Sequence, residues 1–588
     1  MCGSETLVPV PPRCKEHHVR GTSAITGASG PSGISAARKR ALRGGALVAT
    51  AALLVAAVET GTAVAGEGRG GDSPATVAGT LGLGAKEKLI RRDVVKDPDG
   101  TTHTRYDRTY AGMPVIGGDL IVHRSPSGAV SVTKATKRRI AVDTTEAAGR
   151  AAESAGGTAR KAARAQEVTG AKAGKPARVV WAVKGAPRLA LRTVVRGTQE
   201  DGSPSRLHVF TDAESGRKLA AMEERQGIVP ADQAARASKD GARPGKSAQG
   251  AQGGKGAQGK PAAAEGEGTA QYSGSVALGT TGTDKGYTLT DGTRGKGRTT
   301  DLGNTEDDSG QGTAFYDDDN KWGGGRQTAA VDAHYGAAAT WDYYKKAHGR
   351  NGIKNDGKGA LSRVHYGKGY VNAFWSDSCF CMTYGDGEGD AKPLTSLDVA
   401  AHEMSHGVTS ATANLVYQGE SGGLNEATSD IFATAAEFHA DNAADPGDYL
   451  IGEKIDINGD GTPLRYMDKP SRDGESLDSW SPEAGDADVH YSSGIANHFF
   501  YLLSEGSGKK TIGDVTYDSP TADGSDVKGI GRDKAAQIWY KALTAYMTST
   551  TDYQDARTAT LKAAADLYGK DSTEAEAVGA AWTGVNVT

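Results

Sequence analysis

The chain is poor in several things at once: four cysteines, 13 histidines and 6% aromatic residues in 588 positions, with a net charge of only −4. Cys2 and Cys14 lie upstream of an apolar run, which leaves Cys379 and Cys381, too few for a disulfide framework to organise the fold. Long apolar stretches are also missing. The run from Ala46 to Val58 is too short for an ordinary membrane span. It follows Arg38, Lys39, Arg40 and Arg43 and precedes Ala63-Val64-Ala65, so it reads as a signal peptide cut after Ala65. The expectation is a secreted, extracellular protein with no stable membrane anchor. Cys379 and Cys381 flank Phe380, where an exported chain favours a disulfide while two thiols or a partial metal site stay open.

The small net charge hides an asymmetry. Residues 268–588 carry a charge of −20 and residues 1–267 a charge of +16. A basic half can signal nucleic acid, but no aromatic-interleaved basic platform or nucleic-acid motif accompanies it, so no nucleic-acid partner is expected. Opposite fields within one chain instead favour docking of the upstream half on the downstream half in cis.

A chain this long should form about two to four units. Strand-like alternation at 102–110, 115–123, 189–195 and 206–210, with an Ala-rich charged helix pattern within 141–175, predicts a folded α+β region. Residues 228–267, containing GKSAQGAQGGKGAQGK, hold almost nothing to bury and read as a flexible linker, the place where proteases cut. From 268 to about 390 the chain is rich in Gly, Tyr and Thr with short strand-like runs, apart from a helical stretch near 328–347. Beyond 395 it turns helical, at 396–413, 423–440, 492–504, 532–549 and 552–567. A cleft is expected where the β-rich and helical parts meet.

That junction carries the chemistry. In HEMSH, His402 and His406 are four residues apart, so on a helix both imidazoles leave one face and can grip one zinc ion, with Glu403 beside them. A catalytic zinc needs a third protein ligand, and Glu426 in GGLNEATSD is well spaced for it on a second helix. Asp430, one turn on, is placed to accept the second ring N–H of His402, and Asn425 to do the same for His406. Glu403 then acts as the base toward the attacking water and returns the proton to the leaving amine. Asp398 continues the stripe of the first helix and Glu437 that of the second. If the helices run antiparallel, these carboxylates face each other in a buried seam and call for a cation, calcium by its preference for oxygen ligands.

Residues 268–588 resemble the thermolysin-family metallopeptidases throughout, in VDAHYGAAATWDYYKKAHGR, VNAFW, YGDG, LDVAAHEMSHGVT, VYQGESGGLNEATSD, LRYM, VHYSSGIANHFFYLL and AAQIWYKALTAYMT. The resemblance implies a thermolysin-like α+β multidomain fold, with a β-rich lobe at 268–410 and a helical lobe at 411–588, and zinc endopeptidase activity on protein and peptide substrates. It implies oxyanion-stabilising roles for His490 and Tyr417. It also implies a groove holding the substrate backbone at Asn372 and Ala373, and a carbonyl-holding role for Arg465. Val399 and Leu464 match apolar walls of the pocket for the residue after the scissile bond, implying preference for bulky hydrophobic side chains there. For calcium, Asp398 and Glu437 match directly, Asp448 and Glu453 match after a three-residue insertion, and Asp317 and Asp319 match a further position. Leu450 stands where another acidic ligand is expected. The carboxylate behind His490 is shifted, with Gly485 in its register and Asp486 one residue off.

Upstream, RYDRTYAGMPVIGGDLIVH at 105–123 resembles the fungalysin/thermolysin propeptide module, and residues 177–225 a PepSY module. Together they imply a signal peptide at 1–65 and an inhibitory propeptide at 66–227, with its first module at 80–135. Self-cleavage is then expected within the linker at 228–267, giving a mature monomer. The metzincin extension is absent after His406 and no GAMEN-type exopeptidase motif precedes the site. The alternative function, a non-catalytic binding scaffold derived from a peptidase, requires a missing catalytic group. Glu403, His490 and Tyr417 are all present.

Overall fold

The computed structural model describes residues 73–144, 150–240, 262–306 and 309–588. The run read as a signal peptide and residues 241–261 lie outside them. The described residues fall in one compact unit.

The upstream half is built on a sheet of ten strands among the described residues. Thr102–Tyr110 pairs antiparallel with Glu87–Lys96 on one side and with Leu120–Arg124 on the other. The alternation at 115–123 is broken at Gly117-Gly118 into Met113–Ile116 and Leu120–Arg124. Met113–Ile116 continues in parallel onto Ala177–Trp181, which joins the second hairpin, Arg188–Thr198 with Pro204–Asp212. The helix expected in 141–175 spans Arg150–Ala165. Its Ala159, Ala162 and Ala163 pack on Val195, Leu207 and Val209. The pattern stops there because Thr169–Ala173 pairs with the sheet.

The described contacts between the two halves are specific polar pairings and not the simple meeting of opposite charges that the −20 and +16 suggest. Arg105, 4% exposed, donates to the carbonyls of Leu543 and Thr544 at 3.3 Å and of Met547 at 2.8 Å, around the end of the helix Arg532–Ala545. A guanidinium there meets the carbonyls a helix terminus leaves unpaired and the negative end of its dipole. Ser549 N donates to Asp119 at 3.1 Å. At the cross-interface ion pair the signs are reversed, with Lys541 on the acidic side bonded to Asp97 on the basic side. Net charge acts at long range, whereas buried contact requires each polar atom to find its own partner.

Downstream, the sheet order runs Gln226–Gly227, Ala373–Ser376, Cys381–Gly385, Leu361–Tyr366, Gly297–Thr305 and Thr290–Asp291. A second sheet holds Gly286–Thr288, Ser275–Thr283, Ala262–Thr269 and Lys321–Trp322. The long helix Gln327–His348 lies against both. Helices Leu397–Ala411, Gly419–Ala440, Gly494–Glu505, Arg532–Ala545 and Tyr553–Tyr568 follow at the positions the apolar periodicity marked. Thr573–Gly584 adds a helix the pattern did not reveal. Cys379 and Cys381 are disulfide-bonded across Phe380, whose φ is +53°.

The linker reading needs correcting at both ends. Ile228 and Val229 are buried, Ala231–Asp240 is helical, and Ala262–Thr269 is a full strand. Composition marks the segment as poor in apolar residues, but its two branched ones sit where a sheet edge receives them.

Candidate active site and metal centre

The helix Leu397–Ala411 is buried from Leu397 to Thr409, so polar residues there face protein and not water. The second helix, Gly419–Ala440, packs along it. The imidazoles of His402 and His406 have centroids 4.6 Å apart. Nε2 of His402 lies 3.4 Å from Glu426 Oε2, and Nε2 of His406 3.4 Å from Glu426 Oε1. Both ring nitrogens and Glu426 Oε2 are buried and have no hydrogen-bond partner. Three inward-facing donor atoms within 4.8 Å of one another, left unpaired in a dry site, fit a zinc ion with an open fourth position.

The outer partners match that reading. Asp430 Oδ1 accepts His402 Nδ1 at 2.8 Å, and Asn425 Oδ1 accepts His406 Nδ1 at 2.9 Å. This fixes both tautomers so that each Nε2 presents its lone pair inward. Asp430 also accepts Arg465 in bidentate fashion, at 2.8 and 2.7 Å, and Asn497 Nδ2 at 2.8 Å. These cations and donors outweigh burial, which alone would raise its pKa, and hold Asp430 well below the usual carboxylate range. Replacing Asp430 by Asn should weaken zinc retention roughly 10–100-fold, read by competition with a chelator; unchanged retention would deny it the orienting role.

Glu403 is wholly buried and neither carboxylate oxygen has a partner. Burial first, and Glu426 after it, push its pKa up to about 8 against the opposing pull of His402. His490 sits on the short helix Val489–Ser492. Burial would lower its pKa, but Glu426 and Asp488 raise it to about 9, so the ring is an imidazolium at neutral pH. Tyr417 donates to Glu426 Oε1 and stands 3.3 Å from His490 Nε2. Burial, then Glu426, keeps its hydroxyl protonated well beyond the usual range. Backbone approach makes this possible: a Cβ on Gly422 would lie 2.4 Å from Val489 Cγ1, and one on Gly423 2.6 Å from Ser492 Oγ.

The carboxylate behind His490 is Asp488, not Asp486. Asp488 caps the short helix, and its Oδ1 accepts both His490 N at 3.0 Å and His490 Nδ1 at 2.6 Å. Asp486 ends the preceding single turn, Ala484–Asp486. An Asp two residues before a histidine is an N-cap signal readable in the sequence; counting register from outside pointed to the wrong neighbour.

Asn372 and Ala373 lie at the edge strand Ala373–Ser376, and Arg465 lies across from them on Arg465–Tyr466. Val399 and Leu464 are buried in one apolar cluster. At the far end of the two helices, Asp398, Glu437 and Glu453 bring carboxylate oxygens within 4.8 Å of one another. Asp448 is beside them, its pKa raised to about 7 by burial despite the Leu450 amide, with Asp398 adding to the rise. So is Asp445, which the sequence reading missed in DNAADPGDY; burial and then Asp398 raise it to about 7. Leu450 occupies the lip, half-buried. Asp317 and Asp319 are not brought into this group. They sit in an exposed turn where Asp317 Oδ1 accepts the amides of Asp319 and Lys321 at 3.2 and 3.1 Å.

With this geometry in view, residues 265–410 match the thermolysin metallopeptidase catalytic domain, 413–587 its alpha-helical domain, and 87–133 the fungalysin/thermolysin propeptide motif. A transglutaminase-activating metalloprotease from Streptomyces mobaraensis is 54% identical, over 94% of this chain and 72% of that one. Bacillolysin from Bacillus cereus is 35% identical over 85% of both chains. The chain belongs to the thermolysin family. As a thermolysin-family protein with its propeptide motif it is a zinc-dependent endopeptidase made as a zymogen. Thermolysin from Alicyclobacillus acidocaldarius is 43% identical over 51% of this chain and 53% of that one, a span that fits the catalytic half.

Proposed function

We propose that His402, His406 and Glu426 hold the zinc, that Glu403 is the general base, and that His490 and Tyr417 stabilise the oxyanion during cleavage on the amino side of a bulky hydrophobic residue. The observation carrying this reading is the set of unpaired, buried donor atoms on His402, His406, Glu426 and Glu403. Bound there, zinc supplies Lewis acidity and lowers the pKa of a water toward about 7.

Around it the protein's own groups act. Glu403 takes the proton of the attacking water and passes it to the leaving nitrogen. The His490 imidazolium and the Tyr417 hydroxyl are fixed donors for the charge that develops on the scissile carbonyl oxygen, in a site whose dryness strengthens them. Asp488 holds the His490 ring in place. The edge of Ala373–Ser376, extended by Asn372 and covered in this structure by Gln226–Gly227, is where a peptide adds as an antiparallel strand, and Arg465 holds a carbonyl beyond the scissile bond.

Val399 and Leu464 support the apolar preference. A peptide with Ile or Leu after the scissile bond should be cut with a kcat/KM roughly 30–150-fold above its Gly counterpart, as burying such a side chain contributes about 2–3 kcal/mol. Equal rates across the series would refute the pocket assignment. The metal assignment is tested by chelation: activity on casein should vanish and return with stoichiometric zinc, and activity indifferent to the chelator would sink it.

Several further readings rest on composition and residue pattern. Calcium at Asp398, Glu437, Asp448, Glu453 and Asp445 is supported by the unpaired oxygens of Glu437 and Glu453. The half-buried Asp317 and the exposed Asp319 are a second position. Secretion rests on the signal-like segment before Ala65. No described helix is long and apolar enough to cross a membrane. Residues 66–227 serve as the propeptide, acting in cis on 268–588, which works as a monomer.

A further inference from the structure

The groove just described is filled by the chain itself. Gln226–Gly227 pairs antiparallel with Trp375 and Phe374. Past it, Ile228 N donates to Ala373 O at 3.2 Å. Val229 N donates to Asn372 Oδ1 at 3.1 Å, and Asn372 Nδ2 donates to Val229 O at 3.0 Å. Arg465 Nη1 donates to the Ile228 carbonyl at 2.7 Å. The Gly227 carbonyl lies 2.7 Å from His490 Nε2, the imidazolium proposed to stabilise the oxyanion.

We propose that the Gly227–Ile228 peptide bond is the first bond this enzyme hydrolyses, and that it does so within its own molecule. The inference rests on the catalytic reading above and names that site's first substrate.

Three features set this apart from a merely obstructing plug. The direction is productive, since the strand enters antiparallel on the edge and each successive carbonyl meets a different donor: His490 for Gly227, Arg465 for Ile228, Asn372 for Val229. The residue after the bond is branched, apolar and wholly buried. The residue before the bond is the one that fits, because a Cβ at Gly227 would lie 3.0 Å from Ala373 O and 3.3 Å from the Asn372 amide. Glu403, buried with both oxygens unpaired, is the base available to the site.

The step balances with water alone. The bond between the Gly227 carbonyl carbon and the Ile228 nitrogen breaks, and a bond from that carbon to the water oxygen forms. One water proton passes by way of Glu403 to the nitrogen, leaving a Gly227 carboxylate and an Ile228 amino terminus. The cut does not by itself clear the groove. Upstream, Asp201 accepts Asn372 Nδ2 at 3.1 Å and Ser203 Oγ pairs with the Tyr370 hydroxyl at 2.5 Å, both holding the propeptide at the rim. Downstream, Gln233 Nε2 donates to Asn458 at 3.0 Å from the helix Ala231–Asp240, so Ile228 and Val229 stay in place. Activity on an added protein should therefore lag behind the first cut.

The test uses the full chain, purified with chelator present and started by adding zinc, and followed by intact mass and amino-terminal sequencing over a hundredfold range of protein concentration. The expected first new terminus is Ile-Val-Pro-Ala, appearing at a rate independent of concentration. Ile228→Asp should slow that cut roughly 30-fold. Should that variant fail to fold, the wild-type terminus and its kinetic order still decide. A first terminus anywhere else, or a rate proportional to concentration, in a preparation that digests casein overturns this inference and leaves the catalytic reading standing. A preparation that cuts neither itself nor casein after zinc overturns both.

Discussion

Glu403→Gln should lower kcat/KM on casein by roughly 10²–10⁴-fold while leaving zinc content and melting temperature close to those of the wild type. The amide keeps the shape of the carboxylate but accepts no proton. His402, His406 and Glu426 are untouched, so metal binding persists. The full chain should also remain uncut, which makes the variant the right protein for studying the zymogen. Activity within threefold of wild type would sink the mechanism. His490 gives an independent reading through pH. Its pKa is raised to about 9, with Glu426 and Asp488 outweighing burial, so the donor cation is present below that value and lost as pH climbs through it. The rate profile should therefore show an alkaline limb that follows the His490 titration. His490→Gln should remove that limb and cost roughly 10²–10³-fold in kcat.

How much of this was legible in the sequence follows a physical divide. Helical repeats of four residues act locally, so the His402–His406 stripe and its partners Glu426 and Asp430 could be read from spacing. The structure places His402 against Asp430 and His406 against Asn425, at hydrogen-bonding distance in each case. The long helices were visible for the same reason. Asp488 was missed because the four-residue Val489–Ser492 leaves no periodic trace, so its one local signal, the capping Asp, was passed over for a register counted from outside. Asn497 and Asp445 come from loops and helices distant in sequence, and only packing brings them to Asp430 and to the carboxylate cluster. The segment at 228–240 shows the largest discrepancy. Its composition predicts disorder, yet an edge strand and an apolar pocket order Ile228 and Val229, an environment no local window contains.

Calcium removal should produce the largest change in stability, and the change should grow with pH. Asp398, Glu437, Asp445, Asp448 and Glu453 converge in a buried seam. Burial, then repulsion from Glu453, Asp398 and the two loop aspartates, pushes Glu437 well up. Burial and then Asp398 raise Asp445 to about 7 and push Glu453 well up. Asp448 also reaches about 7. The pKa values of Glu437, Asp445, Asp448 and Glu453 are raised, so without a cation the folded protein holds protons that the unfolded chain releases from about pH 4 upward. Stability then declines as pH climbs from about 4 through about 7. A bound Ca²⁺ takes the place of those protons and should flatten the decline. At a thousandfold excess over its Kd the ion stabilises the fold by about 4 kcal/mol. In a catalytic half of this size that corresponds to roughly 10 °C in melting temperature. Thermal unfolding of the zinc-loaded Glu403→Gln chain, with and without a calcium-selective chelator, should show a small gap at pH 5 and the full gap at pH 8. Asp445→Asn should shrink the gap at pH 8, because it weakens the ligand set and removes one of the mutually repelling charges. The same stabilisation from magnesium would mean that the seam does not select calcium, and a gap equal at both pH values that its carboxylates do not titrate in this range; no gap at either pH would mean that the seam is held by protons and not by calcium. The zinc at the other end of the same two helices would then stand alone as the metal this fold requires.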